Sequence, residues 1–136
     1  MTQRNIHGNW TMTFEDGLLC SKIKGATNKE ASQAWFGEMA HIVDSYQANE
    51  PIPWAALIDA RDWEMASMDM WEANNELVDW MEKHNCVLFL FILAKKMQKF
   101  AIETQIDSLE IIRFSFDYAQ AYQTCQAKLK EAQRTK

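Results

Sequence analysis

Seven consecutive apolar residues, Val87 to Leu93, constrain the fold more than any other stretch of the chain. A strand turns successive side chains to opposite faces, so a run with no polar residue at either parity must be buried on both sides. Interior strands of parallel sheets have this character. The wider apolar run, Cys86 to Ala94, falls far short of the ~20 residues that a membrane helix needs. A sheet interior, covered above and below, is the expected place for it.

The flanking patterns supply the cover. Trp10, Met12 and Phe14 alternate with Asn9, Thr11 and Thr13, the period of a half-buried strand. Asp16-Gly17 follows as a tight-turn signal, and Leu18 to Lys24 reads as the returning strand of a β-hairpin ended by Gly25. Asn28 is an N-cap candidate for a helix with Ala31, Trp35, Met39, Ile42 and Tyr46 on one face, ending before Pro51 and Pro53. Trp54 to Ile58 has the length of a buried strand and stops at Asp59. Ala60 to Ala66 then reads as a loop, and Ser67 as the cap of a helix bearing Trp71, Asn74, Val78 and Met81, widened by Leu77 and Trp80. Beyond the apolar run, Met97, Phe100, Ala101 and Thr104 mark a short helix. Ile112, Phe114 and Phe116 mark a strand with one polar side. Asp117 caps a last helix with Tyr118, Tyr122, Cys125 and Leu129 inward. The order ββαβαβαβα gives an α/β fold: a mixed, largely parallel central sheet with an N-terminal β-hairpin and helices packed on it.

A chain of 136 residues fits one domain, residues 1–136, with only 2 Pro and 4 Gly to form linkers. A net charge of −5 argues against a nucleic-acid binder, which needs basic density to displace counterions. The basic C-terminus (Lys128, Lys130, Arg134, Lys136) follows a helical pattern and suits the negative end of a helix dipole. Cys20, Cys86 and Cys125 are an odd, scattered set without a CxxC pair, neither a disulfide framework nor a zinc site. Met1 to His7 lacks the apolar core of a signal peptide, so the cytoplasm is the expected compartment. The hairpin edge can pair two chains or, if polar enough, leave the protein monomeric.

Ligands of open parallel sheets bind outside the carboxyl ends of the strands. One such end delivers Asp59, Arg61, Asp62 and Glu64, the other Lys95 and Lys96. Neighbouring strands would bring these acids and bases to one rim. Asp59 with Asp62 is a conceivable metal pair, and Lys95 an anion contact. Without a Gly-rich loop or further ligands, a surface ion-pair cluster is the preferred reading. No metal and no cofactor is expected. His7 lies in the N-terminal arm, His41 falls off the helical stripe and His84 ends a helix. No serine occupies a GxSxG turn, and Cys86 opens a buried strand. No catalytic residue is therefore assigned, and the chain is not expected to be an enzyme. Trp63 and Met65 stand apart from any helical stripe, in the loop at the sheet's binding edge, as candidate contacts for a partner or ligand.

The stretch Ala56-Leu-Ile-Asp-Ala-Arg-Asp-Trp-Glu-Met-Ala-Ser67, the Trp71 helix after it and Ile112-Arg-Phe-Ser-Phe-Asp-Tyr-Ala-Gln-Ala121 resemble the bacterial SpoIIAA-like (STAS-like) domains. The resemblance implies a non-enzymatic module used in regulation, partner binding or binding of small lipophilic ligands. Anti-anti-sigma members are switched by phosphorylation of a serine at a helix N-terminus, and Ser67 has a similar place. Ala66-Ser67-Met68-Asp69 stands where that group has Asp-Ser-Ser-Gly, and Asp69 would oppose added negative charge, so Ser67 is a cap first and a phosphosite second. The expected function is a regulatory or binding module acting near the 59–67 loop through Asp59, Arg61, Asp62, Trp63, Met65 and Lys95. A carrier or sensor of an apolar small molecule is the alternative, suggested by 12% aromatics and 8 Met. A metal-dependent hydrolase on Asp59, Asp62 and Lys95 ranks last.

Overall fold

A computed structural model of the chain describes residues 9–27, 29–48, 52–64, 74–103 and 111–134. The hairpin forms from β1 (Asn9–Glu15) and β2 (Leu18–Gly25), closed by a two-residue turn with φ of 53° at Asp16 and 84° at Gly17. Both central residues are left-handed, the type I′ geometry whose twist matches that of paired strands. At Gly17 a Cβ would also sit 3.2 Å from the Tyr46 hydroxyl, a tight contact that adds to the left-handed φ in favouring glycine.

Three crossovers follow: α1 (Lys29–Tyr46) to β3 (Trp54–Trp63), α2 (Asn74–Lys83) to β4 (Cys86–Ile92), and α3 (Lys96–Glu103) to β5 (Ile112–Ser115). The five strands lie in chain order, with β1–β2 antiparallel and every later pair parallel. When each parallel strand is added on the same side by a right-handed crossover, all the crossover helices fall on one face of the sheet. The core divides accordingly. Trp35, Met39 and Val43 of α1, Met81 of α2 and Ile102 of α3 pack on Leu19, Trp54, Ile58 and Phe89. On the opposite face α4 (Tyr118–Arg134) alone seats Ala121, Cys125 and Leu129 on Leu18, Leu57, Leu88 and Leu90. The apolar run is thus an interior strand between β3 and β5, covered on both sides. Among the described residues no helix is long and apolar enough to cross a membrane.

Three elements differ from the sequence reading. β3 continues through the segment read as a loop and ends at Trp63. Its pairing with β2 steps from Lys22↔Asp59 to Lys24↔Asp62, so β3 carries an extra residue, a bulge. The bulge switches parity: Ile58 and Ala60 face the α1 side, and after it Trp63 does too. Trp63 is therefore a core residue, not a loop aromatic; it is buried and its Nε1 donates to Thr27 Oγ1 at 3.0 Å.

In α3 the inward residues are Gln98 and Ile102, while Met97 and Phe100 point to solvent at 62% and 67% exposure. In α4 the buried line is Ala121, Cys125 and Leu129, whose first two small side chains let the helix approach the sheet closely. Tyr118 and Tyr122, expected inside, lie exposed on its flank with their rings stacked. Phe116 falls just beyond β5 and is half exposed.

Candidate functional site

The end of β3 carries both the chemistry and the scaffold of the rim. On the β4 side the last pair is Asp59↔Ile92, so beyond it the Ala60 and Trp63 carbonyls must be satisfied from outside the strand ladder. Gln98 does this: Nε2 donates to Ala60 O and to Trp63 O, each at 2.9 Å. Its Oε1 accepts from the backbone N–H of Ala94 (2.9 Å) and Lys95 (3.0 Å), the unpaired donors at the start of α3. One buried side chain thus ties the end of β3 to the segment leaving β4. Nothing in the apolar patterning marked Gln98. The signal available was the one side chain among Lys95, Lys96, Gln98 and Lys99 that can accept a hydrogen bond, three positions after the apolar strand's exit loop, where helix N-termini need acceptors.

On the other side of the sheet Arg61 reaches back onto Asp59. Asp59 is buried, with Oδ1 accepting from Arg61 Nε at 2.9 Å and from its backbone N–H at 3.2 Å, and Oδ2 from Nη2 at 2.8 Å. Burial alone would raise the Asp59 pKa; the Arg61 hydrogen bonds and charge, with Lys22, outweigh it and hold the carboxyl below its ordinary value. The guanidinium also lies 5.5 Å from the ring centre of Tyr118. Beside them a shallow cleft of about 190 Å³ opens between β1, β2 and the start of α4, with Thr11, Thr13, Lys22 and Tyr118 on its walls.

The remaining candidates divide. Asp62 is exposed and pairs with Lys22 at 3.5 Å. Lys95 is exposed at the neighbouring strand end, and among the described residues no ion pair joins it to Asp59 or Asp62. Strand adjacency held, but the acids are answered by Arg61 and Lys22 instead. Met65 and Ser67 lie outside the described residues. With both oxygens engaged by Arg61, Asp59 has little left to offer a cation, and among the described residues no group of three His, Cys, Asp or Glu is placed to hold a metal. Burial pushes the thiols upward: Cys125 to about 12, Cys86 further still, and Cys20 also above its usual value. None is a ready nucleophile.

Arg61→Ala should test the Asp59 environment. It leaves a buried carboxylate with one backbone donor, and a loss of about 2 kcal/mol is expected in urea unfolding. A depressed carboxyl pKa stabilises the fold above the unfolded value, and this contribution fades as pH falls through the folded one. In the variant burial dominates and the pKa rises. The stability gap is therefore expected to be widest near neutral pH and to close in acid; a gap independent of pH would refute the pairing.

The rim has a further property. Among the described residues the exposed large apolar side chains are Met97, Phe100, Phe116, Tyr118 and Tyr122. All lie on the segments that leave the carboxyl ends of β4 and β5. Arg61, Lys95 and Lys96 are exposed on the same rim.

Among solved structures, the chain is similar to an uncharacterised protein of the DUF3478 family with a SpoIIAA-like fold from Shewanella loihica PV-4. The two share 16% identity and a TM-score of 0.57, over 88% of this chain and 94% of that one. It is similar also to an anti-sigma factor antagonist from Mycobacterium paratuberculosis, with 10% identity and a TM-score of 0.58 over the same shares. Neither a scan of protein-family models nor a search of curated proteins gives a match. At these identities the likeness establishes the fold, which is SpoIIAA-like, as the resemblance in the sequence implied.

Proposed function

We propose that this chain is a non-enzymatic regulatory module that docks a protein partner on the carboxyl rim of its sheet. The observation that carries this reading is that, among the described residues, the exposed large apolar side chains are confined to that rim. Met97 and Phe100, adjacent on one face of α3 and flanked by Lys95, Lys96 and Lys99, have the character of interface anchors with a charged border. Tyr118 and Tyr122 offer a second apolar surface, with Arg61 held over Tyr118 by Asp59. Asp62 and Lys95 border the two. Trp63 supports the rim from beneath, and Met65 and Ser67, which follow β3 in sequence, are kept as proposed contacts. The anti-sigma factor antagonist with this fold lends the regulatory role its analogy.

The test is capture of partners from lysate by the wild type and by Met97→Ser/Phe100→Ser. These side chains are more than half exposed, so the unfolding midpoint should hardly change. Loss of two anchors worth about 2 kcal/mol each should reduce capture of a genuine partner at least tenfold. An unchanged set of captured proteins would remove the proposal.

A second reading, a carrier of an apolar small molecule, has one observation in its favour. A groove of about 1070 Å³ runs between α4 and the β4–β5 side of the sheet, with Val87, Leu88, Leu90 and Phe114 along it. Native mass spectrometry of freshly purified protein decides this one, since a bare-chain mass is the result against it.

A further inference from the structure

The sheet has two edges, and they differ. β5 is four residues long with Arg113 within it, and short, charged edges discourage pairing. β1 is seven residues long, Asn9-Trp-Thr-Met-Thr-Phe-Glu15, with no Pro, no Lys, no Arg and no bulge in its pairing with β2. Its one charge, Glu15, stands at its end, and among the described residues no strand pairs with its outer side. We propose that β1 is a self-pairing edge, joining two copies of this chain antiparallel about Met12 into one continuous sheet.

The register follows from the hairpin. In a two-residue turn the closing pair, here Glu15↔Leu18, exchanges hydrogen bonds, and bonded pairs then recur at every second residue. Thr13, Thr11 and Asn9 are therefore bonded to β2, and Trp10, Met12 and Phe14 turn their N–H and C=O groups outward. No described residue answers those groups. Centring the pair on Met12 matches all three outward residues at once: Trp10 with Phe14 of the second copy, Met12 with its own counterpart, and Phe14 with Trp10.

The side chains agree with the same register. On the α1 face Trp10, Met12 and Phe14 are half-buried, and pairing covers their remaining apolar surface with one another. On the α4 face Thr11 meets Thr13, and Asn9 meets Glu15. No like charges oppose one another at any of the seven positions, although the chain as a whole carries −5. Shifting the register by two residues in either direction leaves one outward residue of each strand unmatched. The occupant is a second copy because the complement of this strand is the strand itself.

Asn9 provides a test in which the two states respond oppositely. Within one chain it faces Lys24; across the proposed edge it faces Glu15. Asn9→Glu should help the hairpin but repel Glu15 twice in the dimer, and Asn9→Lys should do the reverse. Sedimentation velocity over a range of concentrations is expected to show a monomer–dimer equilibrium in the wild type. Asn9→Glu should weaken it several-fold and Asn9→Lys strengthen it several-fold. A wild type that stays monomeric up to several hundred micromolar overturns the proposal. So does a dimer indifferent to the charge at position 9, because it must then use another face.

Discussion

Gln98→Leu is expected to lower stability by about 4 kcal/mol, a large part of the roughly 5–15 kcal/mol typical of a domain. The substitution keeps the volume but removes every polar atom. It strands two carbonyls, Ala60 O and Trp63 O, and two donors, the N–H groups of Ala94 and Lys95. Each buried group left unpaired costs about 1–3 kcal/mol, and admitted water would recover part of the sum. Gln98 is 2% exposed, which leaves water little access without local opening. Urea unfolding measures the loss. A change below 1 kcal/mol would mean that the bulge carbonyls have another solution and that Gln98 does not tie the rim together.

Phe89→Ala is expected to cost a similar amount, about 3–5 kcal/mol. Phe89 is fully buried at the centre of β4, edge-on to Trp35 of α1 at 6.2 Å and beside Phe91 at 5.3 Å. Its removal withdraws a large apolar side chain from water-free surroundings and leaves a cavity. Strands on either side hold the backbone in place, so collapse around the gap is limited. The contrast with Phe100→Ala on the exposed face of α3 is informative: there the same deletion should alter stability by less than about 0.5 kcal/mol. Thermal or urea unfolding of the two variants in parallel separates a residue kept for packing from one available for contact.

What the sequence revealed, and what it hid, follow the same physics. β4 was legible because burial on both faces imposes apolar residues at both parities, and the hairpin because Asp16-Gly17 has few other uses. β3 beyond Asp59 was not, because a bulge breaks the alternation by which strands are recognised. Trp63 then had no visible pattern to join and read as a loop aromatic. α3 and α4 misled for a common reason. Periodicity favours large apolar residues, but the faces that touch the sheet here hold Gln98 with Ile102 and Ala121 with Cys125. Small residues allow close approach, and a buried amide answers carbonyls that only the folded sheet exposes. Tyr118 and Tyr122, read as inward-facing, thereby join Met97 and Phe100, read only as marks of a helix, on the exposed rim.

The candidate site was legible in outline only. The adjacency of the Asp59 strand to the one feeding Lys95 followed from the pattern, although that strand runs on past Asp59 to Trp63. The closure of Asp59 by Arg61 did not, since residues 60–66 were read as a loop, and only within a strand do residues two apart share a face.

Hydrogen–deuterium exchange, comparing the chain alone with the chain bound to a captured partner, probes the docking rim directly. Slower exchange at residues 94–103 and 116–122, with α1 unchanged, is the predicted outcome. Protection confined to α1 or β1, with α3 and the start of α4 exchanging as before, would contradict it.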